Sequence, residues 1–144
     1  MTQKEQIHDI LAEAKAITSG DRQRDYGRPL INHVRIALKA SVTLNRTVTP
    51  LEIAWIVGAD LKSSREVQTP KYDNTLDDVG YARCRVDMIN QIVELGIKDS
   101  FDDAHHWLHN ITLSQMATLM ELLWKLETES RQRTIVTLMD ELRG

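Results

Sequence analysis

The sequence predicts an all-α fold, a four-helix bundle-like core followed by additional C-terminal helices. Two observations carry this. Apolar residues recur at three- and four-residue intervals along most of the chain, and no segment shows the two-residue alternation of a half-buried strand. Only three prolines and six glycines interrupt 144 residues, which leaves room for long helices.

Ile7, Ile10, Leu11, Ala14 and Ile17 mark the first helix, with Thr2 and Glu5 as a capping box ahead of it and Ser19-Gly20 closing it. Pro29 suits the first position of the second helix, whose Ile31, Val34, Ile36, Ala37, Leu38 and Val42 suggest a well-buried element. The third helix has the clearest start, Thr49-Pro50-Leu51-Glu52. There a hydroxyl caps, a proline takes the first turn and a carboxylate follows three residues after the cap. Ile53, Ala54, Ile56, Val57 and Leu61 then surround that helix with apolar surface as far as Lys62, as expected of a central helix. Gln68-Thr69-Pro70-Lys71 breaks it. A fourth helix spans about 72–95, with Gly96 as its C-cap.

Ser100-Phe101-Asp102-Asp103 opens a short helix through Trp107. Thr112-Leu113-Ser114-Gln115 opens another, carrying Met116, Leu119, Met120, Leu122, Leu123, Trp124 and Leu126. Ile135, Leu138, Met139 and Leu142 indicate a last amphipathic helix. The change of character near residues 96–100 divides a core with a motif-bearing cleft, 1–96, from an extension, 97–144. That extension either packs on the core or forms an oligomer interface, with Trp124 and Met120 as good anchor types for such a contact. Capture of a host partner is a third reading.

Composition bounds the function. Hydrophobic residues at 42% and charged residues at 27% are ordinary for a globular chain, which excludes wholesale disorder. A net charge of -3 gives no sign of nucleic-acid binding. The single cysteine, Cys84, rules out an internal disulfide framework and reads most simply as a small buried hydrophobe. No apolar run approaches the roughly 18 residues of a membrane span, and the polar start is unlike a signal peptide. A soluble cytoplasmic protein is expected.

Several residues carry candidate chemistry. Asp73 and Asp77 stand four apart on one helical face, with Asp78 beside them. Asp73, Asp77 and Asp78 are candidate Mg²⁺ ligands, since hard oxygen donors suit that ion and substrate phosphates complete its shell. The plain alternative is that Lys62 and Arg65 on the preceding helix neutralise these acids and pin the two helices together. Arg22, Arg24 and Arg28 surround Asp25-Tyr26-Gly27, a loop suited to gripping phosphate with Tyr26 stacking on a base. The plainer reading is a structural turn. Asn32 and His33 begin the second helix and can face the same cleft, although a lone histidine is commonly a packed or surface residue. Gly80-Tyr81 suggests close helix packing, with the tyrosine hydroxyl finding a buried partner. His105 and His109 share a helical face and, with Asp102, form a conceivable metal site. An exposed histidine-bearing helix is the simpler reading.

Taken in order, Arg24-Asp25-Tyr26-Gly27, Pro29, Asn32, Thr49-Pro50, Lys62 with Arg65, Pro70, Asp73-Asn74 and Asp77-Asp78-Val79-Gly80-Tyr81 form a specific series. Across roughly residues 20–90 it resembles a family of small, functionally uncharacterised proteins common in bacteriophages and prophages. That family in turn is distantly similar to MazG-type all-α nucleoside triphosphate pyrophosphohydrolases. The Glu-Glu-x-x-Glu run of those enzymes is absent; Asp60, Lys62, Arg65 and Glu66 stand on the comparable helix. The resemblance implies a phosphorylated-ligand cleft in the host cytoplasm. As a Mg²⁺-dependent hydrolase, its catalytic residues would be Asp73, Asp77 and Lys62, and its ligand-binding residues Arg24, Tyr26, Asn32 and Arg65. The alternatives are a non-catalytic nucleotide binder on the same residues and a helical interaction protein acting through the C-terminal helices.

Overall fold

The computed structural model describes residues 7–18 and 28–143, and it is all-α, with no strand among the described residues. Helix α1 spans Ile10–Thr18 and α2 spans Pro29–Leu44. Helix α3 is an unbroken helical stretch over 50–68, built from an α segment Pro50–Trp55, a π-helical turn Ile56–Asp60 and a second α segment Leu61–Gln68. Helix α4 spans Tyr72–Glu94, α5 Phe101–His109 and α6 Leu113–Arg143.

The helix ends are set by local chemistry. Thr49 Oγ1 accepts from the Glu52 backbone N–H at 3.2 Å, with Pro50 at the first position of α3. Ser100 caps α5 in the same way through the Asp103 N–H. At the start of α6 the exchange is reciprocal: Gln115 N–H donates to Thr112 Oγ1, and Thr112 N–H donates to Gln115 Oε1. Gly96, at φ +75°, ends α4, with the Ile97 N–H returning to the Ile92 carbonyl. Asn45, at φ 53°, ends α2, and the buried Ser41 ties the turn that follows by accepting from the Val48 N–H at 2.9 Å.

One hydrophobic cluster joins both parts of the chain. Leu30, Val34 and Ala37 of α2, Leu51 and Ala54 of α3, and Met88, Ile89 and Ile92 of α4 meet Ala104 and Leu108 of α5 and Met116, Leu119 and Leu123 of α6. The C-terminal helices therefore complete the core, Met120 packing partly buried against it.

Four sequence expectations need correction. Helix α1 begins at Ile10, capped by Asp9, whose carboxylate accepts from the Ala12 N–H; Ile7 precedes it, and of the apolar positions only Ala14 is buried. In α2, Ile36 and Val42 are exposed, because its buried stripe runs through Leu30, Ile31, Val34, Ala37 and Ser41 alone. Helix α3 is not buried all round: Ile56 and Leu61 are exposed, and only its first turn enters the core. The two last helices expected from the sequence are one, because the polar run 127–134 contains neither glycine nor proline and continues as helix. On α6, Leu113, Leu122, Trp124, Leu126, Met139 and Leu142 remain exposed.

The Thr2–Glu5 capping box, Ser19-Gly20 and the loop residues Arg22, Arg24, Asp25, Tyr26 and Gly27 lie outside the described residues, as do the side chains of Ile135 and Leu138.

Candidate functional site

Helices α1 to α4 close on one cleft of about 580 Å³. Its walls are Ile17 and Thr18 of α1, Pro29, Asn32, His33 and Ile36 of α2, Ile53, Val57 and Lys62 of α3, and Asp77, Gly80, Tyr81 and Cys84 of α4. Aliphatic side chains make most of the surface, and a few polar groups from three helices converge on it. That volume and mixture are typical of small-molecule sites.

The π turn puts Lys62 into this wall. Ile53 and Val57 are four apart and share a face of α3. Five further residues of ordinary α-helix turn through about 500°, which would leave Lys62 about 140° away from Val57. In α3 the Leu61 N–H instead returns to the Ile56 carbonyl, five residues back. The extra residue is taken up within the turn, and Lys62 joins Ile53 and Val57 in the cleft. Gly58 sits in that turn, where a Cβ would lie 2.5 Å from the Tyr81 Cβ. A glycine is needed there for α3 to lie so close to α4.

Lys62 Nζ meets Asp77 Oδ2 at 3.0 Å, with the lysine side chain only 11% exposed and the aspartate 41%. This is the inter-helix pairing expected from the sequence, made by one pair rather than all five residues. Arg65 is exposed and makes no ion pair among the described residues. Asp73 and Asp78 are exposed and outside the cleft wall. Among the described residues no group of three His, Cys, Asp or Glu side chains is arranged to hold a metal ion.

Other motif residues serve the scaffold. Asn74 donates from its side-chain amide to Glu66 Oε1 and to the Thr69 carbonyl, each at 3.0 Å, locking the α3–α4 turn. That amide and the Lys71 N–H hold the Glu66 carboxyl below its ordinary pKa. Arg28 donates to Glu94 at 2.8 Å and to Asp87 at 2.9 Å, and these bonds, with Glu94 first, raise its pKa further. Through these two carboxylates it anchors the start of α2 to α4. Gly80 lets α1 approach, as a Cβ there would lie 3.3 Å from Thr18 Cγ2. Tyr81 lines the cleft, and its hydroxyl has no hydrogen-bond partner among the described residues. Cys84 also lines the cleft instead of being fully buried. His105, His106 and His109 are exposed on α5, with His105 edge-on to Phe101.

Two residues were poorly signalled by the sequence. His33 is a cleft residue; its ring nitrogen Nδ1 lies 2.7 Å from the Pro29 carbonyl, and burial pushes its pKa down. Tyr72 holds α1 in place as a wall of the cleft: its hydroxyl donates to Glu13, and its ring stacks on His8 with centroids 3.6 Å apart. Arg83 adds a bond to Thr18 Oγ1 at 3.1 Å.

The Tyr72–Glu13 bond makes a pH prediction. Partial desolvation, then the bond to Glu13, raise the Tyr72 hydroxyl to about 12 from 10.0. Between those values the unfolded chain has lost this proton and the folded chain keeps it, so stability present below pH 10 declines as pH rises towards 12. The Tyr72 bond, then that of His8, lower the Glu13 carboxyl from 4.5. Its contribution is complete above that value and fades as pH falls through the lower folded one. Tyr72→Phe should flatten the alkaline decline in melting temperature; an identical decline in the variant would contradict this.

Four helices around a mixed apolar and polar cleft define an all-α protein with a pocket of small-ligand size. Residues 9–89 match the sequence model of the DUF6378 family, a domain of unknown function, and the chain belongs to that family. The matched segment contains every cleft-lining residue, whereas α5 and α6 lie outside it. No curated protein and no solved structure matches the chain. No helix among the described residues is long and apolar enough to cross a membrane.

Proposed function

We propose that the chain binds a nucleotide or another small phosphorylated molecule in the α1–α4 cleft. The observation that carries this is the Lys62–Asp77 pair within an otherwise largely apolar wall. An ammonium group has three donors, and one bond to Asp77 leaves others for a phosphate oxygen. The aliphatic side chains and the Tyr81 ring offer a surface on which a base or a similar flat group can rest. The resemblance to phage proteins and, more distantly, to MazG-type pyrophosphohydrolases supports a nucleotide among phosphorylated ligands.

Binding is favoured over hydrolysis. Of the three candidate Mg²⁺ ligands only Asp77 lines the cleft, and it is paired with Lys62, so the carboxylates do not form a ready metal site. The test is isothermal titration with nucleoside mono-, di- and triphosphates, with and without Mg²⁺, alongside an assay for pyrophosphate release. Saturable binding without release is the expected result. Release with Mg²⁺ would restore the hydrolase reading, and no binding by any member would refute the proposal.

A second reading rests on α6, where Leu122, Trp124 and Leu126 stay exposed beside the buried stripe of Met116, Leu119 and Leu123. Such a surface suits contact with another protein or a second copy of this chain. A molecular mass in solution above 16.5 kDa, reduced by Trp124→Glu, is what self-association would give.

A further inference from the structure

The cleft contains a polar group that the ion pair does not engage. His33 Nδ1 lies 2.7 Å from the Pro29 carbonyl oxygen. A carbonyl can only accept, so Nδ1 carries the hydrogen. Burial opposes the charged ring more than the Pro29 bond favours it, so at pH 7 and above the ring is neutral and Nε2 presents a lone pair. That nitrogen has no hydrogen-bond partner among the described residues, and the ring lines the cleft. The histidine is therefore fixed in one tautomer by its own helix and offers one acceptor to the cavity. The same cleft is lined by Lys62 on α3 and by Asp77 and Tyr81 on α4.

We infer that His33 is a specificity-determining residue, whose Nε2 accepts a hydrogen bond from an N–H group on the flat, unphosphorylated part of the ligand. This rests on the proposal that the cleft binds a nucleotide, and it narrows the ligand class to those whose heterocycle carries an N–H donor. Lys62 takes the anionic end and the aliphatic walls take the ring faces. His33 distinguishes a heterocycle bearing an N–H from one lacking it, because the latter leaves a partly buried acceptor unpaired.

The test uses the full chain and matched probes. Adenosine 5′-monophosphate is compared with purine riboside 5′-monophosphate, which lacks the exocyclic amine. Uridine 5′-monophosphate is compared with its N3-methyl derivative, and ribose 5-phosphate serves as the probe without a base. At least one pair should differ about tenfold or more in Kd, in favour of the N–H-bearing member. His33→Asn retains a donor near the Pro29 carbonyl but no acceptor at the reach of Nε2, and should abolish that difference. His33→Gln restores an acceptor at that reach and should recover part of it, and melting curves confirm that both variants fold. Equal affinities within both pairs, ribose 5-phosphate binding as tightly as the nucleotides, or unchanged discrimination in His33→Asn would each overturn the role of His33 while leaving the cleft as a phosphate site. Binding of none of the five probes would overturn both.

Discussion

Gly58→Ala is expected to lower stability by about 1–2 kcal/mol. A new Cβ would stand 2.5 Å from the Tyr81 Cβ and 3.0 Å from its Cγ. The Tyr81 Cβ moves only with its backbone, so the overlap is relieved by shifting α3 from α4, at an overpacking cost of about 1–3 kcal/mol or more. Replacing glycine inside a helix returns about 1 kcal/mol. The overlap is severe and cannot be relieved by a flexible side-chain end, so the clash wins. Urea denaturation measures the difference. The same shift moves the π turn that directs Lys62, so affinity for the ligand should fall along with stability. An alanine variant as stable as the parent would show that the close contact of α3 with α4 is dispensable.

Lys62 and Asp77 should respond in opposite directions to substitution. In Lys62→Met the remaining carboxylate is 41% exposed and can be solvated, so the stability cost is expected to stay below about 1 kcal/mol. The ligand, however, loses a charge-assisted hydrogen bond worth about 1.5–3 kcal/mol, a roughly tenfold to hundredfold weakening. Asp77→Asn leaves a lysine only 11% exposed without its counter-charge, so destabilisation should exceed that of Lys62→Met. It also removes the anion that competes for Lys62, so nucleotide affinity should hold or rise. Titration calorimetry of both variants reads this contrast. Weakened binding in Asp77→Asn, equal to that in Lys62→Met, would show the aspartate acting as a ligand contact or metal donor instead.

The helices were legible because their signals are local. Thr49-Pro50 and Gly96 mark ends through capping chemistry, which needs no tertiary information. The Lys62–Asp77 meeting was legible as two oppositely charged motifs on consecutive helices. Arg65, Asp73 and Asp78 were not separable from them, since spacing gives a face and not a depth. The π turn had no periodic signature, and it alters the direction of every α3 residue beyond it. The roles of Tyr72 and Arg28 depend on distant partners: Tyr72 meets Glu13, and Arg28 meets Asp87 and Glu94, more than fifty positions away in sequence. The continuity of α6 was not legible because the polar run 127–134 resembles a linker, although it contains no glycine or proline to break the helix.

The central claim is that ligand enters between α1 and α4 beside Lys62 and Asp77. Amide chemical-shift mapping during a titration with adenosine or uridine 5′-monophosphate tests this most directly. Saturable shifts concentrated at Asn32, His33, Lys62, Asp77 and Tyr81, with α6 unmoved, are the expected result. Shifts confined to α5 and α6, or none at millimolar nucleotide, would contradict it.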